Sequence, residues 1–482
     1  MPDLRPILHI NGLFLLGLAA LMLLPAAVDL SANNSDWFVF WASAIVTGFC
    51  GLALILANRR ASIALDIKQI FLLTTTAWFL MAIFAGLPFR FSKVSLTYGG
   101  SFFEAASGLT TTGATVLVGL DTMAPGILLW RGLLNLFGGY GIIVMAIAIL
   151  PFLGVGGMQL LKTESSDTMD KILPRARQNV LATGVIYIIL NILCALGFYA
   201  GGMSGFDASV HAMATIATGG FSTSDKSLAN WPGEIVLWNA VVFMLLGSFP
   251  FGLYLRALRG HWRELIGDQQ IQLLMGITAV AVGSTTLWLV FTQNFHAWEA
   301  FRQASLNIVS ITSTTGFASA DYTQWGSYPQ AVFAIILSIG GCTGSTSGGI
   351  KMMRFIVLWG LIKNHIRRAV TPHGVFQHRF NGKPVTADVT NSVVAFFLAY
   401  IGSLAILTLL VCGTGLDLVS SFTAVAACMA NAGPGLGHIL GPAGTYQPVS
   451  EAAKWLLGFA MILGRLELFT VLVLFTRHFW RA

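Results

Sequence analysis

Ten stretches of mostly apolar residues, each long enough to cross a bilayer, dominate this 482-residue chain. A helix needs about 20 such residues to span a hydrocarbon core of roughly 30 Å. The stretches lie near 7–27, 36–57, 69–89, 126–150, 180–202, 234–254, 271–292, 329–361, 391–412 and 453–475. The first is long for a signal-peptide core and only Arg5 is basic ahead of it, so it reads as a span. Charged residues make up 10% of the chain, against about 25% in soluble domains. That excludes an ordinary soluble enzyme, a disordered chain and a secreted disulfide scaffold. An all-α polytopic membrane protein embedded in a lipid bilayer remains. The five cysteines are scattered singly and read as small core residues. In a membrane protein the net charge of +7 points to basic cytoplasmic loops and not to nucleic acid.

Those loops set the orientation. One set of connections and ends holds Arg5, Arg59, Arg60, Lys68, Lys162, Lys171, Arg175, Arg177, Arg256, Arg259 and Arg263, then Lys351, Arg354, Lys363, Arg367, Arg368, Arg379, Lys383, Arg477 and Arg481. This is twenty of the twenty-seven basic residues, so the positive-inside rule predicts that both termini are cytoplasmic. The loops after the third, fifth, seventh and ninth spans then lie outside. Each of them holds a second apolar stretch too short to cross, which suits a re-entrant segment.

Aligned on their ends, these four segments reveal a repeat. They read Thr110-Thr111-Thr112-Gly113-Ala114, Ala217-Thr218-Gly219-Gly220-Phe221, Ser313-Thr314-Thr315-Gly316-Phe317 and Ala430-Asn431-Ala432-Gly433-Pro434. The glycines are 107, 96 and 117 residues apart. Each repeat is a span, a short helix, a glycine turn and a second span, and two N-terminal helices stand outside the scheme. The expected fold is therefore four helix–pore-loop–helix repeats in a pseudo-fourfold arrangement plus two N-terminal transmembrane helices. The predicted boundaries are 1–65, 66–175, 176–266, 267–385 and 386–482.

Non-helical backbone survives at membrane depth only where it is buried or lines water. A cation leaving water needs oxygens in place of its hydration shell, and backbone carbonyls supply them if the chain adopts unusual φ/ψ values. Glycine adopts these without steric cost. The predicted cation site is thus Thr111, Thr112 and Gly113, then Thr218, Gly219 and Gly220, Thr314, Thr315 and Gly316, and Asn431, Ala432 and Gly433. Threonine hydroxyls would add oxygens or hold the loop. The short helices turn their partly negative C-terminal ends toward the cavity below. Asp207 and Asp417, near the helix starts, read as caps. The fourth segment departs most from the pattern. No potassium-channel TVGYG run is present, so one glycine per repeat implies weaker selectivity.

Two further features lie within spans. The eighth is interrupted by Gly340-Gly341-Cys342-Thr343-Gly344-Ser345-Thr346-Ser347-Gly348-Gly349, followed by Lys351 and Arg354. Each glycine costs a helix about 1 kcal/mol relative to alanine. A phosphate-binding loop does not fit, because Ile350 and not Lys follows Gly349. A kinked helix or a passive interhelical loop is one reading. A mobile loop beneath the filter that acts as a gate, with Gly340, Gly341, Gly344, Ser345, Thr346, Gly348, Gly349 and Lys351, is the preferred one. The tenth span carries Arg465 and Glu467. Intramembrane charges face a bundle interior or a water cavity. Arg465 is either paired with a carboxylate of another helix or faces the conduction path, and Glu467 is too poorly placed to be its partner. Arg131 and Arg302 read as structural anchors, His211 as a packed or hydrogen-bonded side chain. His373 and His378 sit in a basic loop, 363–385, that reads as solvated and as a docking face.

The segments LTTTGAT, ATGGFST, TSTTGF and NAGPG, with GCTGSTSGGIK and GRLELFTVLVLF, resemble the TrkH/TrkG/KtrB superfamily of potassium transporters, specifically its Trk branch, over nearly the whole chain. The resemblance implies a bacterial inner-membrane subunit that takes up K⁺, bound in transit in the filter. It also implies the gating role of the intramembrane loop and a homodimer docked on a cytosolic TrkA-type NAD/ATP-binding regulatory subunit. It associates an arginine at the position of Arg465 with the pore. An enzyme is not expected, since no cluster of His, Asp or Cys lies at a membrane face. The alternative, a secondary transporter of another cation or small solute, usually shows inverted repeats, whereas these four share one polarity.

Overall fold

The computed structural model describes residues 3–59, 65–148, 169–374, 376–437 and 439–481. Arg60 and Lys162, two of the basic loop residues, lie outside the described residues. Seven described helices are long and apolar enough to cross a membrane: Arg5–Ser31, Trp37–Ala57, Ile67–Phe91, Pro125–Ala146, Gln178–Ala200, Gln269–Gln293 and Ala387–Cys412. Two bent pairs bring this to nine. The stretch expected to be interrupted is two helices, Ser327–Ile336 and Met352–Val370, joined by non-helical chain.

The sixth and tenth spans were expected to be continuous, and both are broken. Glu234–Ser248 meets Phe251–Leu258 at 93°. Phe249 is extended there, as a residue ahead of proline prefers to be, and Pro250 has no N–H to continue the ladder. Glu451–Arg465 meets Phe469–Phe475 at 109°. Glu467 and Leu468 both take positive φ at this corner, and the Glu467 carboxylate is drawn out of helical register to the Arg354 guanidinium. Hydropathy registers neither break, because both halves of each stretch are apolar.

Four short helices follow long ones: Tyr98–Leu109, Gly205–Ile216, Ala297–Thr312 and Leu418–Ala430. Every one packs on the long helix before it. The first also packs on Glu451–Arg465, the second on Pro125–Ala148 and the third on Glu234–Ser248. The C-terminal halves of these short helices are almost wholly buried, although their sequences carry Ser, Thr, Asn and His. Arg5–Ser31 and Trp37–Ala57 form a hairpin of their own that leans on Ile67–Ala85 and Pro125–Ala148. The helices exposed to the surroundings show large apolar side chains, Phe49, Leu196, Val280, Phe291, Leu398 and Leu409 among them, as lipid-facing surfaces do. One departure from all-α structure is a two-stranded ribbon, Arg379–Phe380 with Lys383–Pro384, in the basic loop.

Candidate ion-conduction site

All four short helices end in the same way. The amide of Thr111 bonds the carbonyl of Gly108, and that of Thr112 bonds Ser107 at 2.8 Å. Thr218 and Gly219 bond Thr215 and Ala214, Thr314 and Thr315 bond Ile311 and Ser310, and Asn431 and Ala432 bond Cys428 and Ala427. This pair of closing bonds is the Schellman motif, whose pivotal residue is left-handed and usually glycine. Here the pivots are Thr111, Thr218, Thr314 and Asn431, with φ of 52°, 50°, 59° and 54°. A β-branched residue is a true outlier in that region, at a cost of about 1–2 kcal/mol each. Asparagine tolerates it, so the segment that departs most in sequence is the least strained. Strain concentrated in this way is characteristic of functional backbone.

Two residues beyond each pivot stands the aligned glycine. Gly113, Gly220, Gly316 and Gly433 have φ of 84°, 67°, 90° and 86°. Their surroundings close a circle. A Cβ on Gly113 would lie 2.7 Å from the Gly219 carbonyl oxygen, and one on Gly220 would overlap that of Thr315. On Gly316 it would lie 2.6 Å from the oxygen of Ala432, and on Gly433, 2.7 Å from that of Thr112. The first turn thus abuts the second, the second the third, the third the fourth and the fourth the first. Among the described residues no donor reaches the carbonyls of Thr112, Gly219, Thr315 or Ala432. Gly113, Gly220 and Gly316 are partly exposed while the threonines before them are buried, so the ring opens onto space.

The threonine hydroxyls mostly hold the turns. Thr110 and Thr112 share a hydrogen bond of 2.7 Å, as do Ser313 and Thr315. The Asn431 amide donates to Thr112 Oγ1 and to the Met461 carbonyl, each at 3.0 Å. Thr111 Oγ1 is buried with no partner among the described residues.

The glycine-rich connection lies against the inner ends of the short helices. Thr346 Oγ1 reaches the carbonyls of Ile216 and Gly247, each at 2.9 Å, and meets the Thr218 hydroxyl at 3.3 Å. Ser347 Oγ donates to the Ser313 carbonyl at 2.7 Å, and the Gly348 amide donates to Thr314 Oγ1 at 2.8 Å. The Gly348 Cα abuts Ala430 and Asn431. Residues 340–349 therefore touch the second, third and fourth turns. Gly340, Gly344 and Gly349 take positive φ. Gly341 packs its Cα against Ser347 and Ser248, and Ser345 Oγ donates to the Cys342 carbonyl at 2.6 Å.

Beside this loop four charges are buried. Lys351 Nζ donates to the Ser347 carbonyl at 2.8 Å. Arg354 pairs with Glu467 and lies 3.6 Å from the Phe396 ring centre. Arg465 is 3% exposed, and its Nε and Nη2 have no partner among the described residues. Of its two sequence readings, pairing with a carboxylate finds no support, because the nearby carboxylate is committed to Arg354.

The remaining singled-out residues are structural. Arg131 Nε pairs with Glu104 at 2.9 Å, and its guanidinium lies 4.1 Å from the Phe221 ring centre. Arg302 pairs with Glu299 one turn away. Asp417 is the helix cap it was expected to be, accepting from the Ser420 amide at 3.0 Å; that bond holds its exposed carboxyl below the usual range. Asp207 lies one turn into its helix, where Ser204 is the cap and bonds it at 2.7 Å. His211 is packed and hydrogen-bonded on both nitrogens. Most of the basic loop 363–385 is exposed, and His378 is half-buried against Gly360. The left-handed threonines escaped sequence reasoning. Their signal was a helix-ending pattern without its customary glycine.

Known proteins match this chain end to end. It is 43% identical to the Trk system potassium uptake protein TrkI of Halomonas elongata, over 99% of this chain and 97% of that one. It is 36% identical to the Trk system potassium uptake protein TrkH of Salmonella typhimurium, over 99% of each. The crystal structure of the potassium transporter TrkH from Vibrio parahaemolyticus superposes with a TM-score of 0.92 at 35% identity, covering 100% of both chains. Residues 38–481 match the family described as TrkH, cation transport protein, and the chain belongs to that family.

Proposed function

We propose that this protein takes up K⁺ across a bacterial inner membrane through a central pore whose filter is the ring of Gly113, Gly220, Gly316 and Gly433. The closed circle of four turns, with four carbonyls that no donor among the described residues reaches, carries the reading. Carbonyls spared from internal bonds are the groups that can replace an ion's hydration shell. The four short helices deliver their partly negative C-terminal ends to one place, which favours a cation there. The names of the relatives, potassium uptake proteins, supply the ion.

In this reading four helix–pore-loop–helix repeats stand in pseudo-fourfold order at 66–175, 176–266, 267–385 and 386–482, and the hairpin of residues 1–65 stands apart. The loop 340–349 is the gate, because it bonds the inner faces of the turns and must move to free the path. Arg465, buried and with Nε and Nη2 unpartnered among the described residues, adds a positive charge that opposes cations until the gate rearranges. Both termini are cytoplasmic. The exposed basic loop 363–385 suits a cytosolic TrkA-type nucleotide-binding regulator, and two copies of the chain share one regulatory assembly. Rubidium-86 influx into proteoliposomes tests the function: influx that Na⁺ fails to match supports it, and no cation flux from folded protein refutes it.

A further inference from the structure

The four turns are braced from behind by four chemically different side chains, three at matching places and the fourth one position away. Glu104, His211 and Asn307 each stand nine residues before their glycine, inside the short helix, and all are fully buried. Glu104 accepts from Thr115 Oγ1 at 2.9 Å and from the Val116 amide at 2.9 Å, two and three residues past Gly113. His211 Nε2 bonds Ser222 Oγ at 2.9 Å, two residues past Gly220. Asn307 accepts from the Ser319 amide at 3.2 Å and donates to Ser319 Oγ at 3.0 Å, three residues past Gly316. In the fourth segment alanine occupies the matching place, and the neighbouring Thr423 reaches across instead: its hydroxyl lies 2.7 Å from the Leu436 carbonyl, three residues past Gly433, and 2.8 Å from the Val419 carbonyl of its own helix, so its one proton is shared between the outgoing chain and the helix. Arg131 joins the first two braces, since it pairs with Glu104 and donates to the Ser222 carbonyl at 2.6 Å.

We infer that Glu104, His211, Asn307 and Thr423 are positioning residues for ion selection, each tying the outgoing chain of one turn to the helix that delivers the turn. The inference rests on the reading of the glycine ring as the filter. A short helix and the strand leaving it flank each ring carbonyl. A bond between them fixes the distance at which that carbonyl meets an ion, and sequence-adjacent bonds cannot do this. Four unlike side chains converging on one geometric task, with the fourth supplied from a shifted position, argue against incidental core polarity. Any buried polar group must be satisfied, but satisfaction alone does not require the same target in every repeat.

The test uses the full-length protein in proteoliposomes and reads the ratio of rubidium-86 to sodium-22 influx, which does not depend on how much protein is folded. Asn307→Leu and Thr423→Val are near in shape to the native residues and delete the braces; Glu104 is left alone because its loss also strands Arg131. Each should lower the ratio about fivefold, the effect of one ordinary hydrogen bond. Thr423→Ser keeps the hydroxyl and should hold the wild-type ratio. Gly316→Ala serves as the reference. A wild-type ratio in both brace variants, with Gly316→Ala lowering it, overturns the bracing role alone. A wild-type ratio in Gly316→Ala as well overturns the filter reading beneath it. Should Asn307→Leu fold poorly, the contrast between Thr423→Val and Thr423→Ser decides: equal ratios refute the inference and unequal ones support it.

Discussion

Removing one hydroxyl from the loop beneath the ring should open it measurably. Thr346→Val keeps the side chain's shape and deletes the donor that faces the carbonyls of Ile216 and Gly247, both 2.9 Å away. One proton serves both, and the Thr218 hydroxyl that also meets Thr346 Oγ1 keeps the Ala217 carbonyl at 2.8 Å, so the loss is that of a single buried hydrogen bond, about 1 kcal/mol. A displaced loop lacks the bond in either protein, so the whole loss falls on the closed state. At 1.4 kcal/mol per factor of ten, the open fraction rises about fivefold. Adding Ser347→Ala deletes the donor to the Ser313 carbonyl, 2.7 Å away. If the two losses add, the increase approaches about thirtyfold; adjacent residues on one loop couple with either sign, so the departure of the double variant from that value measures their coupling. The assay is initial rubidium-86 influx into proteoliposomes of purified protein with no regulatory subunit, normalised to the monodisperse fraction by size-exclusion chromatography. Unchanged or reduced influx in folded Thr346→Val would refute the gate and return residues 340–349 to a passive connection.

Arg465→Ala strands no partner, because Nε and Nη2 have none among the described residues. It should fold normally and conduct faster: at an effective dielectric constant of about 20, two like unit charges repel by about 4 kcal/mol at about 4 Å and by about 2 kcal/mol at twice that distance. Thirtyfold is therefore the scale of the flux gain, Arg465→Lys should stay near wild type, and a silent Arg465→Ala protein would reject the pore role. Glu467→Gln behaves in the opposite sense. It breaks the buried pair with Arg354, and breaking such a pair costs about 3–5 kcal/mol, so its thermal unfolding in detergent should shift clearly downward, and an unshifted transition would show that the pair contributes little.

Most of the apolar helices, the four glycine-ended turns and the interrupted stretch were legible because each depends on local chemistry: apolar length, glycine recurrence and glycine density. The corners at Pro250 and at Glu467 differ. Proline gave a local sign that its apolar neighbours outweighed in any hydropathy sum. The turn at Glu467 has no local sign, since its cause is an arginine more than a hundred residues away. Arg465 and Glu467 were correctly separated by their spacing, but for an incomplete reason: Glu467 lies beyond the end of the helix and not on another of its faces. The left-handed pivots were hidden because threonine is a poor residue for that conformation and only the surrounding packing enforces it. The bracing residues were partly visible. Polar side chains at a constant offset from a repeated glycine are a pattern in the sequence, yet the fourth brace sits one position away and only the fold reveals its equivalence.

The account stands on the ring as the place where the ion sheds its water. Anomalous diffraction from crystals of the protein grown in rubidium tests this most directly. A peak on the axis of the ring, among the carbonyl oxygens of Thr112, Gly219, Thr315 and Ala432, is the predicted result, with its loss when sodium replaces rubidium. An ordered rubidium ion elsewhere along the conduction path, with none at the ring, would contradict it.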